Sequence, residues 1–250
     1  MTLYRSQLWK IKFLLLSMKR IAIIPARGGS KRLPRKNILP IDGKPVICWT
    51  IEAALNSCIF DKILVSSEDD EILSIVKDYP VDACLRPSHL ASDIASVSEV
   101  CFHHLDLLLK DKLNYDQLFC LYPTAPLRDA SDLSEMAKIF AHHSDAQAVI
   151  AVSKYMHYPH QAFASDENMK ISPYWPNLQH LRADKLPTMY AGNGSTYAIL
   201  VEEFLKTLRF VPSNGVYGYP MSLMNSIDID TKEDFQMLEC IVNYRKDKIL

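Results

Sequence analysis

The chain has almost no net charge, no long apolar run, no paired cysteine motif and no internal repeat. Its 28 lysines and arginines are balanced by 29 aspartates and glutamates, a formal charge of −1. That balance gives no reason to expect nucleic acid or a membrane surface as a partner, since both attract a basic excess. A membrane span needs about 20 apolar residues, and the run Phe13 to Leu16, flanked by Lys10, Lys12, Lys19 and Arg20, is far shorter. It also lacks the apolar length and small-residue cleavage site of a secretory leader. The six cysteines, at 48, 58, 84, 101, 120 and 240, form no C-x-x-C pair. Most sit in apolar stretches and read as scattered buried thiols in a reducing, cytoplasmic setting.

What is present is an ordinary globular composition, 48% hydrophobic and 23% charged over 250 residues, enough for a substantial core. Strand-like runs at Arg20–Pro25, Lys62–Ser66, Gln117–Leu121, Ala146–Val152 and Ser195–Leu200 alternate with helix-like segments. The helices are expected at Val46–Asn56, Asp69–Lys77, Ser96–Leu109, Asp132–His142 and about Lys232–Tyr244. Alternation of this kind predicts an α/β fold with a mainly parallel sheet covered on both faces. The pattern begins just after Met18, which is read as the natural start, with residues 1–17 a disordered or loosely docked extension and 18–250 the domain. Periodicity fades over about 154–194, where prolines and aromatics are dense, and this stretch reads as an inserted arm suited to an interface.

Four segments carry the chemistry. The first is the loop after the opening strand, Ala26-Arg27-Gly28-Gly29-Ser30-Lys31, continued by Arg32, Arg35, Lys36 and Asn37. It is neither a Walker A loop nor a dinucleotide fingerprint. Two glycines permit close backbone approach, successive N–H groups can form an anion nest, and five cations surround them, so the loop is a candidate phosphate site. The second is Ser-Ile-Asp-Ile-Asp-Thr at 226–231. In extended chain Asp228 and Asp230 share a face about 6–7 Å apart, a spacing that suits Mg²⁺ ligands as well as a plain strand-to-helix turn. The third, Leu-Tyr-Pro-Thr-Ala-Pro-Leu-Arg at 121–128, offers Thr124 and Arg128 from a proline-stiffened strand-end loop. The fourth, residues 85–93, offers Arg86.

Other features read as structural. His103–His104 and His142–His143 are adjacent on helices and so face different ways; His104 falls on the apolar stripe. Glu68-Asp69-Asp70-Glu71 reads as a solvated helix start, with Ser67 and Asp70 at capping-box spacing. Thr231 and Asp234 look like the cap of the last helix.

Together the four segments resemble the acylneuraminate cytidylyltransferases, over about Lys19 to Asn243. The A-R-G-G-S-K-R-x-P-x-K-N-I segment is followed in the family's order by L-R-P…S-D, P-T-x-P-L-R and D-I-D-T. The resemblance implies a nucleotide-diphospho-sugar-transferase-like fold and transfer of CMP from CTP to a nonulosonic acid, with release of pyrophosphate, for surface glycan synthesis. It implies a CTP site of Ala26, Arg27, Gly28, Gly29, Ser30, Lys31, Lys36 and Asn37, with Arg86, Ser92, Asp93 and Ser96 toward the base. It implies Mg²⁺ on Asp228 and Asp230, and catalysis by these with Arg27, Lys31 and Lys36. Tyr122, Thr124, Arg128, Arg182 and Asn193 would meet the sugar, and the arm would make a homodimer. Tyr122 stands where N-acetylneuraminate enzymes look to have Gln, and Ala191-Gly192 where they tend to have Arg. Both departures look more like the pseudaminic acid branch, whereas Pro123-Thr124 and Pro126-Leu127-Arg128 look less so. Activation of another 2-keto-3-deoxy sugar acid, a non-catalytic nucleotide-binding protein and a glycosyltransferase are the competing readings.

Overall fold

The apolar run that starts the globular pattern forms β1 (Arg20–Pro25), and its side chains alternate between two cores. Ala22 and Ile24 face one, Ile21 and Ile23 the other, as a strand buried on both faces requires. The structure, a computed structural model, describes residues 17–247; the extension expected at 1–17 lies outside these apart from Ser17. In chain order the further elements are β2 (Pro40–Ile41), β3 (Lys44–Pro45), α1 (Val46–Ser57), β4 (Lys62–Ser67), α2 (Asp70–Val76), β5 (Asp82–Leu85), α3 (Val97–Lys110), β6 (Gln117–Leu121), α4 (Ala130–His142) and β7 (Ala148–Lys154). After these come β8 (Phe163–Ser165), β9 (Ile171–Pro173), β10 (Tyr190–Leu200), α5 (Val201–Thr207), β11 (Val216–Pro220) and α6 (Lys232–Asp247).

The main sheet has seven strands in the order β11-β7-β10-β6-β1-β4-β5. β1 runs parallel to β4 and β6, β4 to β5, and β7 to β11; β10 alone is antiparallel to both its neighbours. Helices α1, α2 and α4 bury Ile51, Ile72 and Met136 on one face. On the other, α3 and α5 bury Cys101, Leu105 and Phe204. The three-layer α/β architecture with a mainly parallel sheet is thus the observed one. A third cluster, including Ile41, Leu127, Ile227, Ile229 and Leu238, joins α6 to the edge where the parallel strands end.

Helix ends explain local choices. Ser96 caps α3 in a full capping box with Glu99, and Asp129 does the same for α4 with Asp132. α2 corrects the expected box: Asp69, not Ser67, is its N-cap, accepting from Glu71 and Ile72 N–H, while Ser67 accepts from Asp69 N–H. At α6 the Asp234 carboxylate accepts from Thr231 N–H and Asp230 N–H, the cap expected. His104 is buried against Ser66, as a core residue. All six cysteines are free thiols. Cys48, Cys101 and Cys120 are buried, but Cys58 and Cys240 are exposed: Cys58 is the C-cap of α1, and Cys240 lies mid-way along α6 on the face away from the buried Leu238 and Val242.

The inserted arm lies between β7 and β10 and contains the β8–β9 hairpin. It leaves Phe163, Tyr174, Trp175 and Tyr190 exposed. β10 pairs with β7 at both its ends, with a register shift between Gly192 and Tyr197.

Candidate active site

The parallel strands β1, β4, β5 and β6 all finish at one edge, and the segments that follow β1, β5 and β6 wall a cavity of about 350 Å³. Arg27, Lys36 and Asn37 come from the loop after β1; Arg86, Leu90, Ser92 and Asp93 follow β5. Tyr122, Pro123 and Thr124 follow β6, and Asp228 and Asp230 enter from the segment before α6. A second, smaller cavity of about 230 Å³ adjoins it, lined by Ser30, Lys31, Arg32 and Leu33 and sharing Arg27, Lys36 and Asp230.

Each of the five loop cations meets acids from elsewhere. Arg27 and Lys31 pair with the two oxygens of Asp93 at 2.9 and 2.5 Å. Lys36 and Arg32 pair with the two oxygens of Asp230 at 2.8 and 2.7 Å. Arg35, in the left-handed region at φ 58°, pairs with Asp69 and Glu71. The loop is therefore a charge-matched lattice rather than a bare positive patch.

Glu68 and Asp69, expected as part of a solvated helix start, instead frame this loop. Glu68 Oε1 accepts from Gly28 N–H at 2.8 Å, so that N–H is engaged by a carboxylate rather than left open as a nest. A Cβ at Gly28 would collide with the Asp69 carboxylate, which is the packing reason for glycine there; Gly29 has open space. The capping run hid this role, because an acid at a helix start already has a sufficient local reason. Asn37 is buried and donates to the Arg27 carbonyl at 2.9 Å, fixing the two ends of the loop together. Ser30 Oγ and Asn37 Oδ1 are buried without a hydrogen-bond partner among the described residues.

Asp228 and Asp230 face the same cavity but differ in environment. Ile229 between them is fully buried, and its N–H donates to the Thr124 carbonyl at 2.8 Å. Burial pushes the Asp228 carboxyl above the ordinary carboxylate range, with the Thr124 hydroxyl pulling the other way. Its Oδ1 is buried with no hydrogen-bond partner among the described residues. Burial also acts to raise Asp230, but Lys36 and Arg32 outweigh it and hold that carboxyl low. An orphaned buried carboxylate oxygen beside a second carboxylate fits a hard cation, whose remaining ligands could be phosphate oxygens and water. No cluster of three or more His, Cys, Asp or Glu suited to a metal occurs among the described residues.

Arg86 is buried, donating to the carbonyls of Leu90 and Ser66 at 3.3 and 2.5 Å, with Glu68 at 3.7 Å. Ser92 and Asp93 reach the cavity; Ser96 instead caps α3 with its side chain on Glu99. Ala26 is buried in the strand-end ladder, its N–H on Ser66.

Among the expected sugar contacts, Tyr122 and Thr124 line the cavity and Arg128 does not. Arg128 is fully buried behind the wall: its Nη1 donates to the Ser195 carbonyl at 2.7 Å and its Nη2 to Thr50 Oγ1 at 3.0 Å. Burial lowers its pKa to about 10. It is a strut tying the 122–128 loop to β10. Asn193 spends its side chain on Ser153, Met221 and Ser195 N–H, and Arg182 is exposed on the arm beside Asp184. Neither lines the cavity.

A family model described as Cytidylyltransferase matches residues 21–171. The chain belongs to the cytidylyltransferase family. It is 34% identical over 230 residues to the pseudaminic acid cytidylyltransferase of Campylobacter jejuni subsp. jejuni, covering 90% of this chain and 96% of that one. It is 30% identical over 239 residues to the CMP-N,N'-diacetyllegionaminic acid synthase of Legionella pneumophila, covering 93% and 100%. Against the N-acylneuraminate cytidylyltransferase of Escherichia coli O18:K1:H7 identity is 32% over 220 residues, 88% of this chain but 51% of that longer one. A solved CMP:2-keto-3-deoxy-manno-octonic acid synthetase complexed with CTP superposes with a TM-score of 0.66 at 17% identity, covering 91% of this cytidylyltransferase and 99% of that chain, a likeness of fold.

Proposed function

We propose that this cytidylyltransferase transfers CMP from CTP to the anomeric hydroxyl of a nonulosonic acid and releases pyrophosphate, for surface glycan synthesis in the cytoplasm. The observation that carries the reading is one cavity bringing Arg27, Lys36 and Asn37 against Asp228 and Asp230 from the far end of the chain. The anomeric oxygen bonds to the α-phosphorus, the bond from that phosphorus to the bridging oxygen breaks, and the hydroxyl proton is released. Such a reaction asks the protein for alignment and charge rather than covalent chemistry. Arg27, Lys31 and Lys36 are the groups placed to meet the charge that grows on the departing pyrophosphate. Asp228 and Asp230 are the residues that would hold Mg²⁺, which when bound supplies charge stabilisation at the phosphoryl oxygens.

The sugar we assign is pseudaminic acid. Two observations support it: Tyr122 in the cavity wall, and the named activity of the Campylobacter relative, matched along 96% of its length. The exposed aromatics of the arm suit a second copy of this chain, giving a homodimer. The six free thiols accord with a reducing compartment, and no helix among the described residues is long and apolar enough to cross a membrane.

The test is pyrophosphate release with CTP, Mg²⁺ and a panel of pseudaminic, N-acetylneuraminic, diacetyllegionaminic and 2-keto-3-deoxy-octonic acids, with the CMP-sugar identified by mass. Release confined to pseudaminic acid is the expected result. Release with another panel member moves the substrate. Binding of CTP with no release across the panel would leave a nucleotide-binding protein and end the transferase reading. Sedimentation equilibrium at micromolar protein tests the dimer, which a monomer would exclude.

A further inference from the structure

Asp93 is the one acid in the phosphate-loop lattice that bridges two cations while standing half exposed at a loop tip. Its Oδ1 meets Arg27 at 2.9 Å and its Oδ2 meets Lys31 at 2.5 Å, with 48% of the side chain in solvent. Asp69, by contrast, is 17% exposed, caps α2 and braces Arg35, so it belongs to the frame. The stretch around Asp93 is pinned on both sides. Arg86 holds the Leu90 carbonyl, Ser92 Oγ bonds the His89 carbonyl and Ala95 N–H, and Ser96 is fixed in the α3 cap.

An acid in this place cannot share Arg27 and Lys31 with a phosphate without like-charge repulsion. We propose that Asp93 is a positioning residue that exchanges with the nucleotide's phosphates on Arg27 and Lys31 and recaptures both cations as pyrophosphate departs. This rests on the reading of the loop as the phosphate site. The exchange is cheap because both ion pairs are wet, and exposed pairs are individually weak. It is fast to reverse because the pinned stretch keeps the carboxylate near its cations, at high effective concentration. Glu68 and Asp69 hold the loop backbone and Arg35 throughout, so exchange at Asp93 leaves the frame standing. The consequence is selectivity against weakly charged ligands and against product: a group must outcompete a resident carboxylate to stay.

The experiment is calorimetric titration of inorganic pyrophosphate and CTP into the full chain, wild type against Asp93→Asn, Asp93→Ser and Asp93→Glu. Each variant is first checked by thermal melt. Removing the charge should tighten pyrophosphate about three- to tenfold, the scale of two exposed ion pairs. The product-inhibition constant should fall in step. Asp93→Glu, which keeps the charge, should bind pyrophosphate closer to wild type than either neutral variant. Pyrophosphate affinity unchanged or weakened in both neutral variants would overturn the exchange, and weakening is what a merely structural role predicts. Wild type that binds neither pyrophosphate nor CTP would instead overturn the phosphate site. Wild type that binds both but turns over no sugar would overturn only the transferase reading.

Discussion

Lys36 donates from Nζ to Asp230 Oδ1 at 2.8 Å, across 194 positions of sequence, and at 3.2 Å to the neighbouring Ile229 carbonyl. One ammonium thus ties the phosphate loop to the carboxylate pair. Replacing it with Ala should cost about 2.7–4 kcal/mol of transition-state stabilisation, or 10²–10³ in turnover, the scale for a preorganised charge donor. Pyrophosphate release measures this, with circular dichroism to show that the variant folds. Turnover near wild type would remove Lys36 from the machinery.

Gly194 stands at φ +69°, and a Cβ there would sit 2.6 Å from Asp228 Oδ2. Gly194→Ala should therefore lose about 1–2 kcal/mol of stability from the left-handed backbone alone. It should also push Asp228 out of line and cut turnover, while the Lys36–Asp230 pair stays. A variant with lower melting temperature but intact turnover would show that Asp228 has slack.

Arg128 gives a test of strut against substrate contact. Arg128→Leu removes donors from the Ser195 carbonyl, Thr196 Oγ1 and Thr50 Oγ1. The Ser195 carbonyl keeps the Tyr122 N–H and Thr196 Oγ1 keeps Ser195 Oγ, so the cost rests on Thr50 Oγ1 and the lost charge-assisted bonds, about 1.5–3 kcal/mol in urea denaturation. Were Arg128 instead a sugar ligand, stability would hold and only the KM for sugar would climb.

His104 should give the fold a pH dependence on the acid side. Burial, then the charges of His103 and Arg86, lower its pKa from 6.5 to about 4, and Nε2 lies 2.7 Å from Ser66 Oγ. The unfolded chain binds a proton at this site below about 6.5 and the folded chain does not until about 4, so stability is complete above 6.5 and drains away as pH falls. The loss should total about 2–4 kcal/mol. His104→Gln should melt with a flatter profile from pH 7 to 4.5; parallel profiles would rule His104 out as the cause.

Much of this fold was legible because its strands are buried on both faces. β1 and β6 have the expected bounds since continuous apolar runs announce them. β11, with exposed alternate residues, and the short β5 and α5 lack that signal and have no counterpart among the expected elements. β10 was expected only from Ser195, because its first half, Tyr190 to Gly194, is a polar, glycine-containing stretch at the root of the arm. For the site, the loop cations and Asp228–Asp230 stood out by residue type and spacing. Their partners did not. Glu68 and Asp69 had a helix-start explanation close at hand, and Arg128 looked like a ligand because sequence shows charge but not burial.

The pairing of every loop cation has a consequence for how ligand arrives. Arg27, Lys31, Arg32, Arg35 and Lys36 are matched by Asp93, Asp230, Asp69 and Glu71, with Glu68 and Asp228 close by. Seen from beyond a Debye length, about 8 Å at physiological salt, the mouth is nearly neutral. CTP is then drawn in by contact rather than by a long-range field. Its association rate in stopped flow should sit well below the electrostatically steered regime and change little as salt is raised.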